Sequence, residues 1–122
     1  MIQVPGFLLR RLYVRGSLRN AAGGFEFELK NALGSGYADR MLPLTLDGGE
    51  LPLEQTSFRQ ESGVEIAFSA VDENTPFTLQ MNKTVKIRVD GETLAPGAHK
   101  IGMSFRVRGI GTLSFDVNDV VD

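Results

Sequence analysis

Ile101-Gly102-Met103-Ser104-Phe105-Arg106-Val107, then Arg108-Gly109-Ile110-Gly111-Thr112, then Leu113-Ser114-Phe115-Asp116-Val117 is the stretch that decides the fold. Apolar side chains take every second position on both sides of a glycine-bracketed turn. In an extended chain a period of two sends alternate side chains to opposite faces. Each run therefore buries one set against a core and leaves its neighbours in water. Two such runs around Gly109-Ile110-Gly111 read as strands joined by a bend.

The same alternation recurs outward from this stretch, in Leu12/Val14/Gly16/Leu18, Phe25/Phe27/Leu29, Leu42/Leu44/Leu46, Val64/Ile66/Phe68, Phe77/Leu79/Met81 and Val85/Ile87/Val89. Turn residues separate the runs: Asn20 to Gly24, Gly34-Ser35-Gly36, Asp47-Gly48-Gly49, Asp90-Gly91 and Ala95-Pro96-Gly97. No longer segment carries a helical stripe, although Phe7 to Tyr13 and Glu54 to Gln60 each have room for about one helical turn. The expectation is an all-β chain. It is a single antiparallel β-sandwich of about eight or nine strands over residues 1–122, immunoglobulin-like or jelly-roll in layout, with an open barrel as the competing arrangement. Leu44 to Pro52 also echoes Ile87 to Pro96, a likeness that hairpin grammar explains. Pro52 and Pro96, which cannot donate to a ladder, suit edges or loop entries.

Composition narrows the chemistry. The chain has 122 residues, 14 Gly and 5 Pro, no Cys, no Trp, one His and a net charge of −2. That length suits one core and not a two-domain enzyme. Without cysteine there is no disulfide, thiolate metal site or cysteine nucleophile. The start lacks a basic region ahead of an apolar one, and no apolar run approaches the roughly 20 residues that span a bilayer, so a cytoplasmic protein without a membrane partner is expected.

His99 shares parity with Ile101 and Met103 and reads as a structural residue at the mouth of a strand, since no second histidine or cysteine accompanies it. Asp116, Asn118, Asp119 and Asp122 read as solvated positions on a last strand and tail, because the bend glycine and distal glutamate of a calcium loop are missing. Glu26 and Glu28 read as cross-strand partners of Arg15 and Arg19, not as a carboxylate pair for glycoside hydrolysis. Gly34-Ser35-Gly36 and Gly109-Ile110-Gly111 read as bends. No catalytic residue, cofactor or metal is assigned. Basic residues gather in 1–20 and 83–108 and acids in 46–75. With only Tyr13 interleaved among the arginines, nucleic-acid binding is not expected. Two tyrosines and no tryptophan also argue against a sugar-binding platform.

The N-terminal Val4-Pro5-Gly6-Phe7-Leu8-Leu9 either caps one end of the sandwich or forms an exposed apolar arm over residues 1–11. On the second reading Phe7, Leu8, Leu9, Arg11 and Tyr13 are the candidate interface.

From about Leu44 to Phe105 the order of features resembles the β-subunit domain of C-glycoside deglycosidases. The matching pieces are the turn Leu46 to Pro52, the strands from Phe77 to Val89 and the loop Leu94-Ala95-Pro96-Gly97-Ala98-His99-Lys100-Ile101. The chain departs from that family at Val107 to Gly111, where an aromatic-proline stretch would stand. The resemblance implies a β-sandwich that accompanies a separate metal-dependent barrel subunit. The sequence is also similar to short bacterial proteins labelled hydroxymethylglutaryl-CoA reductase by automatic naming, but no reductase motif can be matched here residue by residue. The functional expectation is a non-catalytic sandwich acting as accessory subunit or homo-oligomer, with a protein partner. The alternatives are a small-ligand or carbohydrate-binding module, or a small enzyme using loop carboxylates or His99.

Overall fold

The longest alternating runs become the longest strands. The computed structural model describes residues 5–34 and 36–121. Among these, the chain forms β1 (Arg19–Ala21), β2 (Gly24–Lys30), β3 (Gly36–Met41), β4 (Thr45–Leu46), β5 (Gly49–Glu50), β6 (Thr56–Arg59), β7 (Glu65–Ala67), β8 (Phe77–Leu79), β9 (Thr84–Asp90), β10 (Gly97–Val107) and β11 (Gly111–Val121). A short helix α1 (Gly6–Leu9) precedes them and runs into a 3-10 turn, Arg10–Leu12.

One sheet runs β1-β2-β9-β6-β7; the other runs β5-β4-β10-β3-β8, with β11 on the free side of β10. The two pack together as an all-β sandwich, not an open barrel. Strand β10 organises the second sheet. It pairs with β11 from Gly97↔Val121 to Val107↔Gly111. On its other side it pairs with β4 at Ile101↔Leu46 and with β3 at Phe105↔Met41. In the first sheet, β2 and β9 approach so closely at Gly24↔Asp90 that a Cβ on Gly24 would overlap the Val89 carbonyl oxygen. A residue without a side chain is required there.

Several alternating runs are shorter than their pattern suggests, so the described residues hold eleven strands instead of eight or nine. Residues 12–18 are not one strand. Leu12 and Tyr13 are both buried, Gly16 turns at φ +85°, and the ladder resumes only at Arg19. In Leu42/Leu44/Leu46, Pro43 lacks the N–H a ladder needs, and β3 and β4 stop on either side of it. Val64 is exposed, and a 3-10 turn at Phe68–Ala70 replaces the end of its run. Met81 lies beyond β8 and is exposed. The helical turn expected over Glu54 to Gln60 is confined to Leu53–Gln55, because Thr56–Arg59 pairs with β9 and β7. The echoing segments differ in structure: one is the β4–β5 hairpin, the other a crossover from β9 in one sheet to β10 in the other.

Phenylalanines join the layers. Phe58 on β6 meets Phe77 on β8 edge to face, with centroids 4.8 Å apart at 85°. Phe77 also lies 5.9 Å from Phe105 on β10 and 6.4 Å from Phe68. Each of the four is almost fully buried. Such pairs contribute about 0.5–1.5 kcal/mol beyond their buried area. Phe77→Ala, which removes the shared ring, is expected to lower unfolding free energy by about 3–5 kcal/mol in urea titrations followed by circular dichroism.

Candidate functional site

Residues 5–16 build the side wall of the sandwich. Pro5 (φ −63°) starts α1, and its carbonyl accepts from the N–H groups of Leu8 and Leu9. The segment then follows the outer edge of β11. Arg10 Nε donates to the Asp116 carbonyl at 2.9 Å, and Arg15 Nη1 to the Asn118 carbonyl at 3.5 Å. On its other side it continues the edge of β2, through the Tyr13↔Leu29 bridge and a Val14 N–H donating to the Glu28 carbonyl at 2.9 Å. Ser17 completes that edge with its hydroxyl, which accepts from Glu28 N–H and donates to the Val14 carbonyl. The wall thus spans the free edges of both sheets, which an unprotected edge strand needs.

The five residues singled out in this segment divide. Leu9 (3% exposed) and Tyr13 (8%) belong to the core, and Leu8 is half-buried. Arg11 is exposed, and Phe7 is 66% exposed.

Tyr13 anchors the wall. Its hydroxyl donates to Asp119 Oδ2 at 2.6 Å, and the same oxygen accepts from Gly16 N–H at 2.9 Å. Val120 N–H donates to Asp119 Oδ1 at 2.9 Å. Burial works against the Asp119 charge, but the hydrogen bonds from Tyr13 and from the backbone of Val120, Gly16 and Leu18 outweigh it, holding its pKa below the ordinary carboxylate value. Burial, reinforced by the bond to Asp119, pushes the Tyr13 phenol up. Asp119 is therefore not the solvated tail residue expected from sequence. Its inward parity with Leu113, Phe115 and Val117 was the available signal. Asp122 lies outside the described residues.

His99 lies at the opposite end of β10 from the β10–β11 bend. The turn Asp47-Gly48, with φ of +51° and +91°, connects β4 to β5 in the left-handed pair of a two-residue hairpin. It aims Asp47 at β10, where Oδ1 accepts from Lys100 N–H at 2.8 Å and Oδ2 from His99 Nδ1–H at 2.8 Å. His99 Nε2–H donates to the Ala95 carbonyl at 2.7 Å. Both ring nitrogens face acceptors, so the arrangement calls for the imidazolium. The Ala95 carbonyl, and then Asp47, raise the His99 pKa; Lys100 N–H, and then His99, lower that of Asp47.

Other polar groups are paired across strands. Arg19 Nε lies 2.8 Å from Glu26 and Nη1 3.5 Å from Glu28, while Lys86 approaches Glu26 at 3.7 Å. Arg15, the other partner expected for these acids, instead reaches the Asn118 carbonyl. Arg106 grips Asp39 through two bonds, which lower the Asp39 pKa. Among the described residues, no three His, Asp or Glu side chains converge to hold a metal, and no helix is long and apolar enough to cross a membrane.

Sequence reasoning also missed an apolar pocket of about 210 Å³ beside the β10–β11 bend. Leu9 and Leu12 of the side wall, Tyr37 of β3 and Leu113 of β11 surround it, and Phe77 and Phe105 reach it from the core. These residues come from distant parts of the chain, so no local pattern announced them.

A family model described as Hydroxymethylglutaryl-CoA reductase, N-terminal domain, matches residues 8–122. No curated protein matches the chain. The family match bears on the second of the two resemblances drawn from sequence and not on the deglycosidase one.

Two predictions follow the polar joints. Tyr13→Phe leaves Asp119 buried with one donor fewer, so unfolding free energy should fall by about 1–3 kcal/mol in chemical denaturation at neutral pH. For the hairpin contact, a raised histidine contributes fully below its ordinary value of 6.5 and loses that contribution as pH rises through the raised value. A lowered aspartate contributes fully above 3.8 and loses it as pH falls through the lowered value. His99→Ala should therefore depress the melting temperature most between about pH 4 and 6.5 and progressively less towards pH 9, as measured by calorimetry across that range.

Proposed function

The chain belongs to the hydroxymethylglutaryl-CoA reductase N-terminal domain family, and from that premise we propose that it is a non-catalytic β-sandwich that works by association, as an accessory domain for a larger catalytic chain. Phe7 carries this reading. It is 66% exposed, yet Leu9, Leu12 and Tyr13 lie in the core within six residues of it. A large apolar side chain is thus held on an anchored wall, ready to dock at little cost in ordering. Arg11 stands exposed on the same segment. The family description names the N-terminal domain of an enzyme, which favours a role beside a catalytic part.

The polar groups support a scaffold in preference to a catalyst. His99 spends both ring nitrogens on Asp47 and Ala95, and Asp119 is engaged by Tyr13, Gly16 and Val120. A general base needs a lone pair directed at a substrate proton. The displaced pKa values of these groups have structural causes, and ion-pair networks displace pKa values as active sites do.

Size-exclusion chromatography with light scattering on the protein purified from its own host tests the proposal. The chain should elute in a complex heavier than its 13.3 kDa monomer. Phe7→Glu should return it to the monomer with the melting temperature unchanged. A strict monomer at every concentration, with no retained partner, overturns it.

A further inference from the structure

We propose that the pocket beside the β10–β11 bend is a binding site for a small, uncharged, largely apolar molecule carrying one hydrogen-bonding group at its outer end. The inference goes beyond the association role and does not depend on it.

The lining sets the chemistry. Among the described residues no charged side chain lines the pocket, and Leu9, Leu12, Leu113, Phe77 and Phe105 supply hydrocarbon walls. Asn31 is the buried polar side chain there, and its amide is already committed. Nδ2 donates to the carbonyls of Gly34 and Leu79, and Oδ1 accepts from the N–H groups of Leu33 and Gly34. Those bonds shape the β2–β3 connection that forms one rim and leave the amide nothing to offer a ligand. Water in such a space finds few partners, and a charged ligand would lose hydration without compensation.

Size and rim narrow the class further. A cavity of about 150 Å³ lined by apolar side chains takes up benzene. The 210 Å³ here suits a single ring with a substituent or two, or a short aliphatic chain. Tyr37 is 53% exposed and lines the same pocket. Its hydroxyl makes no hydrogen bond to the described residues, so it is free to meet an alcohol, phenol, carbonyl or ester at the mouth. A flat protein surface would fill the space less well, because the floor formed by Phe77 and Phe105 lies in the core.

Titration of the isotopically labelled full chain with p-cresol and with toluene, followed by two-dimensional NMR, tests the site. Both probes should shift resonances of Leu9, Tyr37 and Leu113 saturably, with dissociation constants on the order of 0.1–1 mM for molecules of about eight heavy atoms. Tyr37→Phe should weaken p-cresol several-fold and leave toluene unchanged. Leu113→Trp should abolish both; if that variant fails to fold, Ile110→Trp blocks the mouth from the bend. Phe7→Glu should leave both affinities intact, which separates this site from the association surface. Failure to saturate up to the solubility limit, shifts that map elsewhere, or retained binding in a folded blocked variant overturns the proposal.

Discussion

The contact of Phe77 with Phe58 on one side and Phe105 on the other ties the two sheets together. Phe58 belongs to β6 in the first sheet, whereas Phe77 and Phe105 belong to β8 and β10 in the second. The edge-to-face geometry at 4.8 Å sets how far apart the layers stand at that end of the molecule. Phe77 and Phe105 turn another part of their surface to the apolar pocket. Layer spacing and pocket are therefore one packing problem. A change that moved Phe77 would alter both at once, because close-packed interiors transmit volume changes instead of absorbing them.

Polar side chains act in this domain chiefly as joints between segments that backbone pairing leaves apart. Asp47 and His99 join the β4–β5 hairpin to the start of β10. Asn20 both donates to the Leu94 carbonyl and accepts from Leu94 N–H at 2.8 Å, imitating a strand partner for a loop that crosses between sheets. Arg88 holds the Ala21 and Ala22 carbonyls of the β1–β2 turn at 2.9 Å. Each joint gives a backbone carbonyl or N–H a side-chain partner. The association reading draws on the exposed Phe7 and Arg11, and the pocket on hydrocarbon walls.

The fold was legible wherever a period of two met an uninterrupted backbone. Residues 85–89, 101–107 and 113–117 read directly as strands and lie within strands. Legibility failed where the backbone is interrupted or a side chain replaces it. Pro43 cuts a run that its leucines suggest, and the Ser17 hydroxyl stands in for ladder bonds where the alternation of residues 12–18 runs on. The place of His99 on a strand could be read from its parity, but its partner Asp47, 52 residues away, could not. Asp119 carried a readable sign, an acid on the inward face of an apolar strand. The pocket carried none, because its walls come from four separate segments that only tertiary packing brings together.

The side wall also couples segments far apart in sequence. Tyr13 meets Asp119 and Arg10 meets Asp116 across 106 residues, and Arg15 meets Asn118 across 103. During synthesis the wall is made about a hundred residues before its partner strand, so the seam stays open until β11 has left the ribosome. Contacts of such long sequence separation carry a large loop-closure cost and slow the search for the native state. Until they form, the outer edge of β11 stands open to strands from other molecules. The arginines that cover the β11 carbonyls thus act as a late-closing clasp, and the domain is most exposed to mispairing in the interval before it shuts.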